Sequence, residues 1–483
     1  MRFGNIIVGK NKIFDGRTFM KELRQEDKII EGVKHIHMIG IGGSGMCPLA
    51  EILHGKGYYL TGSDNNESDP LARVKALGIP VFMGHRAENI EGAELVVYSA
   101  AISADNPELK AAREKGIPTM ERSHMLGALT RHFDNVIGVC GTHGKTTVTS
   151  MITQILILNK QDPTAVIGGK LPLIGSNGIS GKSETMVCES CEFVDTFLQL
   201  SPDVAVLLNI DNDHLDYFKT MENLTLSFHK FLKMAKTAYI NGDDELAKKA
   251  AEDITAKTVT LGFGENNDYR AENIKGGKYG FSFDVIKNGE KIINIQMHIP
   301  GRHNVLNGLA AFAVCFDMGL TADGIKDAIE KFTGAGRRFE FLGEYGGFVL
   351  ADDYAHHPTE IKATLTAAKE LDYNRVIVVF QPFTFSRTAL LKEDFIDALS
   401  VADKVILTPI MGSREKNTYG ISSEDLAAKL PDAVVVDGFE NIAETAIKTA
   451  EKGDIVITMG GGDIYKAAHI IEEKLKNDRK ALR

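Results

Sequence analysis

The sequence predicts an α/β protein made of three parallel-sheet units. Three observations carry that reading. At 483 residues, and roughly 150 residues per domain, the chain is long enough for about three separate cores. Short apolar runs ending in Gly, Asp or Ser alternate with helix-patterned stretches from residue 35 onward, the rhythm of βαβ units. Two glycine-rich loops, "GIGGSG" and "GTHGKTT", each stand between such a run and a helical pattern. The units are placed at 1–132, 133–340 and 341–483.

In chain order, "HIHMIGI", "GYYLTGSD", "LVVYSA" and "NVIGVCG" read as strands, with "GMCPLAEILHGK" and "SDPLARVKALG" as helices between them. "ETMVCE" and "DVAVLLNI" continue the sheet pattern in the middle third. Period-two alternation in "YGFSFDVIKNGEKIINIQMHI" about Asn288-Gly289 predicts a hairpin, expected as an antiparallel flap. "HNVLNGLAAFAVCFDMG" and "TADGIKDAIEKF" read as helices, and "TGAGRRFE" as a joint. A third series follows through "GGFVLADDYAHHP", "RVIVVFQP", "KVILTPI", "AVVVDG" and "DIVITMGGGD". The mixed-charge stretch of the first ~30 residues, "MRFGNIIVGKNKIFDGRTFMKELRQEDKII", is expected to dock on a neighbouring surface.

Composition narrows the function classes. With 55 Lys+Arg against 65 Asp+Glu, net −10, the chain has no general basic field for nucleic acid or anionic membranes. It lacks a run of about 20 apolar residues and an apolar leader, so a cytoplasmic protein that neither binds nor crosses membranes is expected. Five scattered cysteines make no disulfide framework, and "CESC" lacks the second pair that structural zinc needs.

The loops carry the chemistry. Gly40, Gly42 and Gly45 have G-x-G-x-x-G spacing, with Asp64 ending the next strand; such a turn lets backbone amides approach a diphosphate. In "GTHGKTT", Lys145 is placed to meet terminal phosphates and Thr146 to reach Mg²⁺, although the first glycine of a strict phosphate loop is displaced. Glu189 and the cluster Asp211, Asp213, His214 and Asp216 sit near predicted strand ends, where carboxylate and imidazole suit a divalent ion. "LADDYAHHPTEI" gathers Asp352, Asp353, His356, His357 and Glu360 at a helix start, read as a substrate-facing loop rather than a zinc site. Arg337, Arg338 and Arg387 are candidate anion contacts.

Taken together, "GIGGSGM", "GTHGKTT", "NIDNDH", "GRHNVLN", "GAGRRFE", "DDYAHHPTEI" and "QPFTFSRT" resemble the Mur ligases of bacterial cell-wall synthesis, from about residue 35 to the C-terminus. The resemblance implies a Rossmann-like UDP-binding domain, a central ATPase-type domain with a phosphate loop, and a Rossmann-like C-terminal domain. It further implies that UDP-N-acetylmuramate and L-alanine are joined at the expense of ATP, through an acyl phosphate. By that resemblance Gly42, Gly43, Ser44, Gly45 and Met46, with Asp64 and Ser99, surround the UDP-sugar. Thr142, Gly144, Lys145, Thr146 and Thr147 hold ATP, with Asn304 and Asn307 nearest its adenine. Thr146, Glu189 and His214 hold Mg²⁺. Lys145, His356 and Arg337 are catalytic, and Asp353 and Arg387 contact substrate. Phe383 and Gly461 depart from the usual family pattern, which has His and Ala there, and Cys188 and Cys191 alter the acidic segment around Glu189. Three alternatives stand beside this reading. One is the related recycling ligase that adds a preformed peptide, against which Glu360 argues. The others are a nicotinamide-dependent dehydrogenase, which leaves "GTHGKTT" unexplained, and a UDP-sugar sensor without turnover.

Overall fold

The computed structural model describes residues 24–277, 280–413 and 415–481. Three sheets succeed one another along the chain. The first is wholly parallel, in the order Val81–Met83, Tyr59–Asp64, His35–Ile39, Leu95–Tyr98, Thr119–Glu121. The second has ten strands, with Asn135–Cys140 between Val204–Leu207 and Thr185–Glu189 and parallel to both. In the third, Ile455–Met459 lies between Phe348–Asp353 and Val376–Phe380, and only Glu340–Tyr345 runs antiparallel.

Strands flanked on both edges and covered on both faces should be continuously apolar. "NVIGVC" satisfies this, with every residue after Asn135 buried. In each of the first two sheets the glycine loop leaves the strand from which the order runs outward in both directions, His35–Ile39 and Asn135–Cys140. Flanking connections diverge there and leave a crevice at the strand's C-terminal end, the place where α/β sheets bind ligands.

The predicted hairpin forms, with Gly280–Lys287 against Glu290–Met297, but it is no separate flap. The strand Tyr269–Gly277, which the sequence pattern did not announce, pairs parallel with Lys257–Gly262 and antiparallel with Gly280–Lys287, so the hairpin prolongs the central sheet. Its inward residues Phe283, Val285 and Ile295 are fully buried, and that burial holds it in the sheet.

The core of the first unit and one face of the central sheet form one apolar cluster, from Ile30 and Met38 through Phe133 and Val136 to Phe231. The other face of the central sheet packs on the helices Lys145–Leu158 and Arg302–Asp317. Of the segment expected to dock, residues 1–23 lie outside the described residues. The helix Gln25–Glu31 docks on its own chain: Ile30 is buried, and Asp27 forms a two-pronged ion pair with Arg131, both bonds 2.7 Å.

Candidate active site

The second glycine loop is shaped by Gly144, the residue before the helix Lys145–Leu158, at φ +86°. A β-carbon there would also lie 2.6 Å from Asn307 Oδ1, so only glycine fits both the backbone and the space. Lys145 Nζ donates to the carbonyls of Gly141 (2.5 Å) and Thr142 (2.9 Å) and pairs with the buried Glu192 at 3.0 Å. Burial opposes the lysine's charge, but Glu192 outweighs it and raises the pKa, so the ammonium persists. Thr146 Oγ1 donates to Glu189 Oε1 (3.0 Å), and Glu189 Oε2 accepts from the amide of Gly168 (2.6 Å). A hydroxyl beside a carboxylate, all oxygen, is the donor chemistry that Mg²⁺ takes.

Beside the loop lies a cavity of about 480 Å³ between the central and C-terminal units. Gly144, Thr147, Asn304, Asn307, Asp353 and Glu360 are among the residues on its wall. Asn304 Nδ2 donates to the carbonyl of Pro300 (2.6 Å), and Asn307 Nδ2 to Asn304 Oδ1 (2.9 Å), so both amides are fixed. Asp353 accepts from the amides of Phe339 (2.8 Å) and Ala355 (2.6 Å), while burial raises its pKa to about 6.

A charged seam closes the cavity's edge. His143 Nε2 donates to Asp211 (3.0 Å) on the central unit, and its Nδ1 to Glu360 (3.3 Å) on the C-terminal unit. Burial disfavours the imidazolium, yet these two bonds prevail and lift its pKa to about 9. Arg387 pairs with Asp213 at 2.7 Å across the same seam. His143, Asp211 and His357 bring ligand-type atoms within 4.8 Å of one another. Between Asp211 and Glu360 the protonated His143 donates from both ring nitrogens, so these three side chains form an ion-paired bridge across the seam.

Nδ1 of His356 lies 3.0 Å from the carbonyl of Tyr354. Only N–H can satisfy a carbonyl, which leaves the Nε2 lone pair of the neutral ring as a proton acceptor. Burial lowers the pKa of His356 and keeps the ring neutral. The two C-terminal departures from the family pattern both abut it. The Phe383 ring meets it edge-on at 6.0 Å, and a β-carbon on Gly461 would come within 3.1 Å of its ring.

The first loop gathers elsewhere, at the end of the first sheet. Gly42 N donates to Asp64 Oδ2 (2.9 Å), so Asp64 holds the loop's own backbone. Gly43 N donates to the carbonyl of Gly40 (3.0 Å), a β-carbon on Gly45 would press on Arg122, and the Ser44 carbonyl accepts from Asn177 of the central unit (2.7 Å). Ser99 Oγ accepts from the amide of Ala101.

Several of the expected site residues hold contacts of their own in this structure. Met46 is fully buried in the first core, so its side chain is not free to meet a diphosphate. Arg337 is spent inside the C-terminal unit, donating to Asp352 (2.8 Å) and the carbonyls of Gly460 (2.8 Å) and Gly462 (3.1 Å). Its guanidinium braces a turn of the C-terminal unit. Arg387 is likewise held by Asp213 instead of standing free. His214 bonds to neither Thr146 nor Glu189 among the described contacts; it lies 3.5 Å from Asp213, and its ring meets that of Phe193 at 4.7 Å, tilted by 45°. Its backbone is left-handed, at φ 56°. Sequence reasoning passed over His143 and Glu192. His143 stood within the loop motif itself, whereas Glu192 had only its place three residues after Glu189.

With this geometry in view, comparisons with known proteins agree on a class. The model "Mur ligase family, catalytic domain" matches residues 35–134, "Mur ligase middle domain" residues 139–315, and "Mur ligase, glutamate ligase domain" residues 337–462. The chain belongs to the Mur ligase family, ATP-dependent enzymes that form amide bonds. A UDP-N-acetylmuramate–L-alanine ligase of Caldicellulosiruptor saccharolyticus is 46% identical over 445 residues, covering 90% of this chain and 98% of its own. One from Acetivibrio thermocellus is 44% identical, covering 90% and 95%. Among solved structures, the UDP-N-acetylmuramate–alanine ligase MurC of Thermotoga maritima superposes with a TM-score of 0.80 at 28% identity, covering 92% of this chain and 99% of that one. The three-domain α/β fold is that of MurC. Among the described residues no helix is long and apolar enough to cross a membrane.

Proposed function

We propose that this enzyme joins L-alanine to the lactyl carboxylate of UDP-N-acetylmuramate, with ATP consumed through an acyl phosphate, and that its working units are 1–132, 133–340 and 341–483. One observation carries the reading: Lys145, Thr146 and Glu189 stand together beside a cavity of about 480 Å³, at the end of the strand from which the central sheet runs both ways. The names of the curated relatives support the substrates.

A carboxylate is a poor electrophile, so it must first be activated. On this reading the loop amides and Lys145 receive the terminal phosphates, Lys145 exchanging its carbonyl partners for phosphate oxygens. Asn304 and Asn307 line the base end, and Gly42 to Met46 hold the UDP diphosphate through backbone groups. Thr146 and Glu189, joined by His214 if its ring turns from Phe193, would hold Mg²⁺, which offsets repulsion between two anions. The lactyl carboxylate attacks the terminal phosphate and forms the acyl phosphate. His356 Nε2 accepts a proton from the alanine ammonium, and the freed amine attacks the acyl carbon and expels phosphate. Holding both anions in contact supplies an effective concentration of ~10⁵ M or more.

UDP-N-acetylmuramate labelled with oxygen-18 in the lactyl carboxylate is expected to give one labelled oxygen in the released phosphate per amide formed. Unlabelled phosphate with stoichiometric amide would reject the acyl-phosphate route. No phosphate release with L-alanine would reject the ligase reading itself.

A further inference from the structure

Between Glu189 and the helix Leu215–Phe218 the chain makes a turn whose backbone is strained. Val194 (φ 54°, ψ 32°) and Asp195 (φ 56°, ψ 22°) are both left-handed, a conformation a β-branched residue rarely adopts. Val194 is 46% exposed, so apolar burial does not hold it there. Hydrogen bonds do. Asp195 Oδ2 accepts from the Tyr217 hydroxyl (2.9 Å), and Oδ1 from the Ser227 hydroxyl. The Asp195 amide donates to the carbonyl of Glu192 (2.9 Å), and Thr196 Oγ1 to that of Cys191 (3.0 Å), which closes the turn.

Two residues leave this turn toward the chemistry. Glu192 is 1% exposed and holds Lys145, and the Phe193 ring packs against that of His214 at 4.7 Å. Tyr217 belongs to the helix that His214 begins, so its bond to Asp195 ties that helix to the turn. Such strain persists only where surrounding structure over-determines it, and it gathers at functional sites.

We propose that Asp195 is a positioning residue for the reaction: by fixing the left-handed turn it sets both Glu192 against Lys145 and Phe193 against His214. The phosphate-side lysine and the candidate metal-side histidine are thereby placed by a carboxylate that touches neither. This inference rests on the ligase reading for its substrates.

The test compares Asp195→Ala, Asp195→Asn and Tyr217→Phe with the full-length enzyme. For a misplacement of the phosphate-side groups, Asp195→Ala should lower kcat ~10-fold and raise the Mg²⁺ concentration for half-maximal rate by a similar factor. KM for UDP-N-acetylmuramate should stay within about twofold, because the first loop is untouched. Asp195→Asn keeps a carbonyl acceptor for one hydroxyl and should recover part of the loss. A folded Asp195→Ala with wild-type kcat and Mg²⁺ response, or a loss confined to KM for the UDP-sugar, overturns the proposal. Should Asp195→Ala not fold, Tyr217→Phe removes one hydroxyl from a half-exposed ring and should shift Mg²⁺ dependence the same way; no shift overturns it. Calorimetry with Mg·ADP separates the two readings. Wild type that binds Mg·ADP but joins no alanine rejects the ligase reading, while weaker Mg·ADP binding by Asp195→Ala still supports the positioning role and equal binding rejects it.

Discussion

The central unit meets its two neighbours through unlike surfaces. Toward the first unit the boundary is apolar, a single cluster running from Met38 through Phe133 to Phe231, with the buried Asp27–Arg131 pair at its margin. Toward the C-terminal unit it is charged and hollow: His143 between Asp211 and Glu360, Arg387 on Asp213, and the cavity of about 480 Å³ beside them. Apolar burial has no direction and no pH dependence, so the first seam joins the two units as one body. Ion pairs of half-buried groups are worth less and answer to pH and salt, which suits a seam that must admit a nucleotide and let a product go.

The sharpest way to break this contrast lies at the apolar seam. Asp27→Ala leaves the Arg131 charge buried and unpaired, and should cost about 3–5 kcal/mol of stability in denaturant unfolding. Affinity for Mg·ADP should change little in the variant that remains folded. A loss under about 1 kcal/mol would show that the helix Gln25–Glu31 is not part of that body.

At the charged seam the expected effects fall on turnover. Lys145→Ala leaves Glu192 buried without its partner and should lose stability as well; in the variant that remains folded, UDP-sugar binding should persist and phosphate release should fall by ~100-fold or more, the scale of one preorganised charge. Near-normal release from a folded variant would remove Lys145 from the chemistry.

The smallest effect sharpens the comparison through pH. The folded pKa of His143 is raised to about 9, above the ordinary value of ~6.5 for an unfolded histidine. Its contribution is therefore complete below ~6.5 and fades as pH rises through about 9. Asp211, held low chiefly by the His143 bond, and Glu360, held low against burial by the same residue, stay charged across that window. His303 is pushed down to about 4, by burial first and the charge of His143 second, and stays neutral. The melting temperature of wild type should exceed that of His143→Gln by roughly 2–4 °C at pH 6, with the gap closing by pH 10. A gap constant with pH would mean that packing, not charge, holds His143.

The parts legible in the sequence were those set by neighbours in the chain. Glycine spacing announced both loops, because a backbone that turns at φ +86° with Asn307 against it admits only Gly144. Period-two alternation about Asn288-Gly289 announced its hairpin, since a pleated strand alternates faces. The strand Tyr269–Gly277 escaped notice because its pairing partners, not its own pattern, make it a strand; a register shift between Glu272 and Lys275 blurs the alternation that would have revealed it.

By itself, then, the sequence determined the α/β class, the two glycine loops and the residue types that ring them, for these follow from local conformational freedom and from periodicity. Tertiary structure alone decided which charges meet. It put Glu360 on His143 and Asp213 on Arg387, pairs 217 and 174 residues apart. It also spent Arg337 on Asp352 and two carbonyls, and set Glu192 against Lys145 through a turn that Asp195 holds. No spacing rule reaches such pairs, because a charge finds its partner only after the sheets have packed and water has been driven from between them.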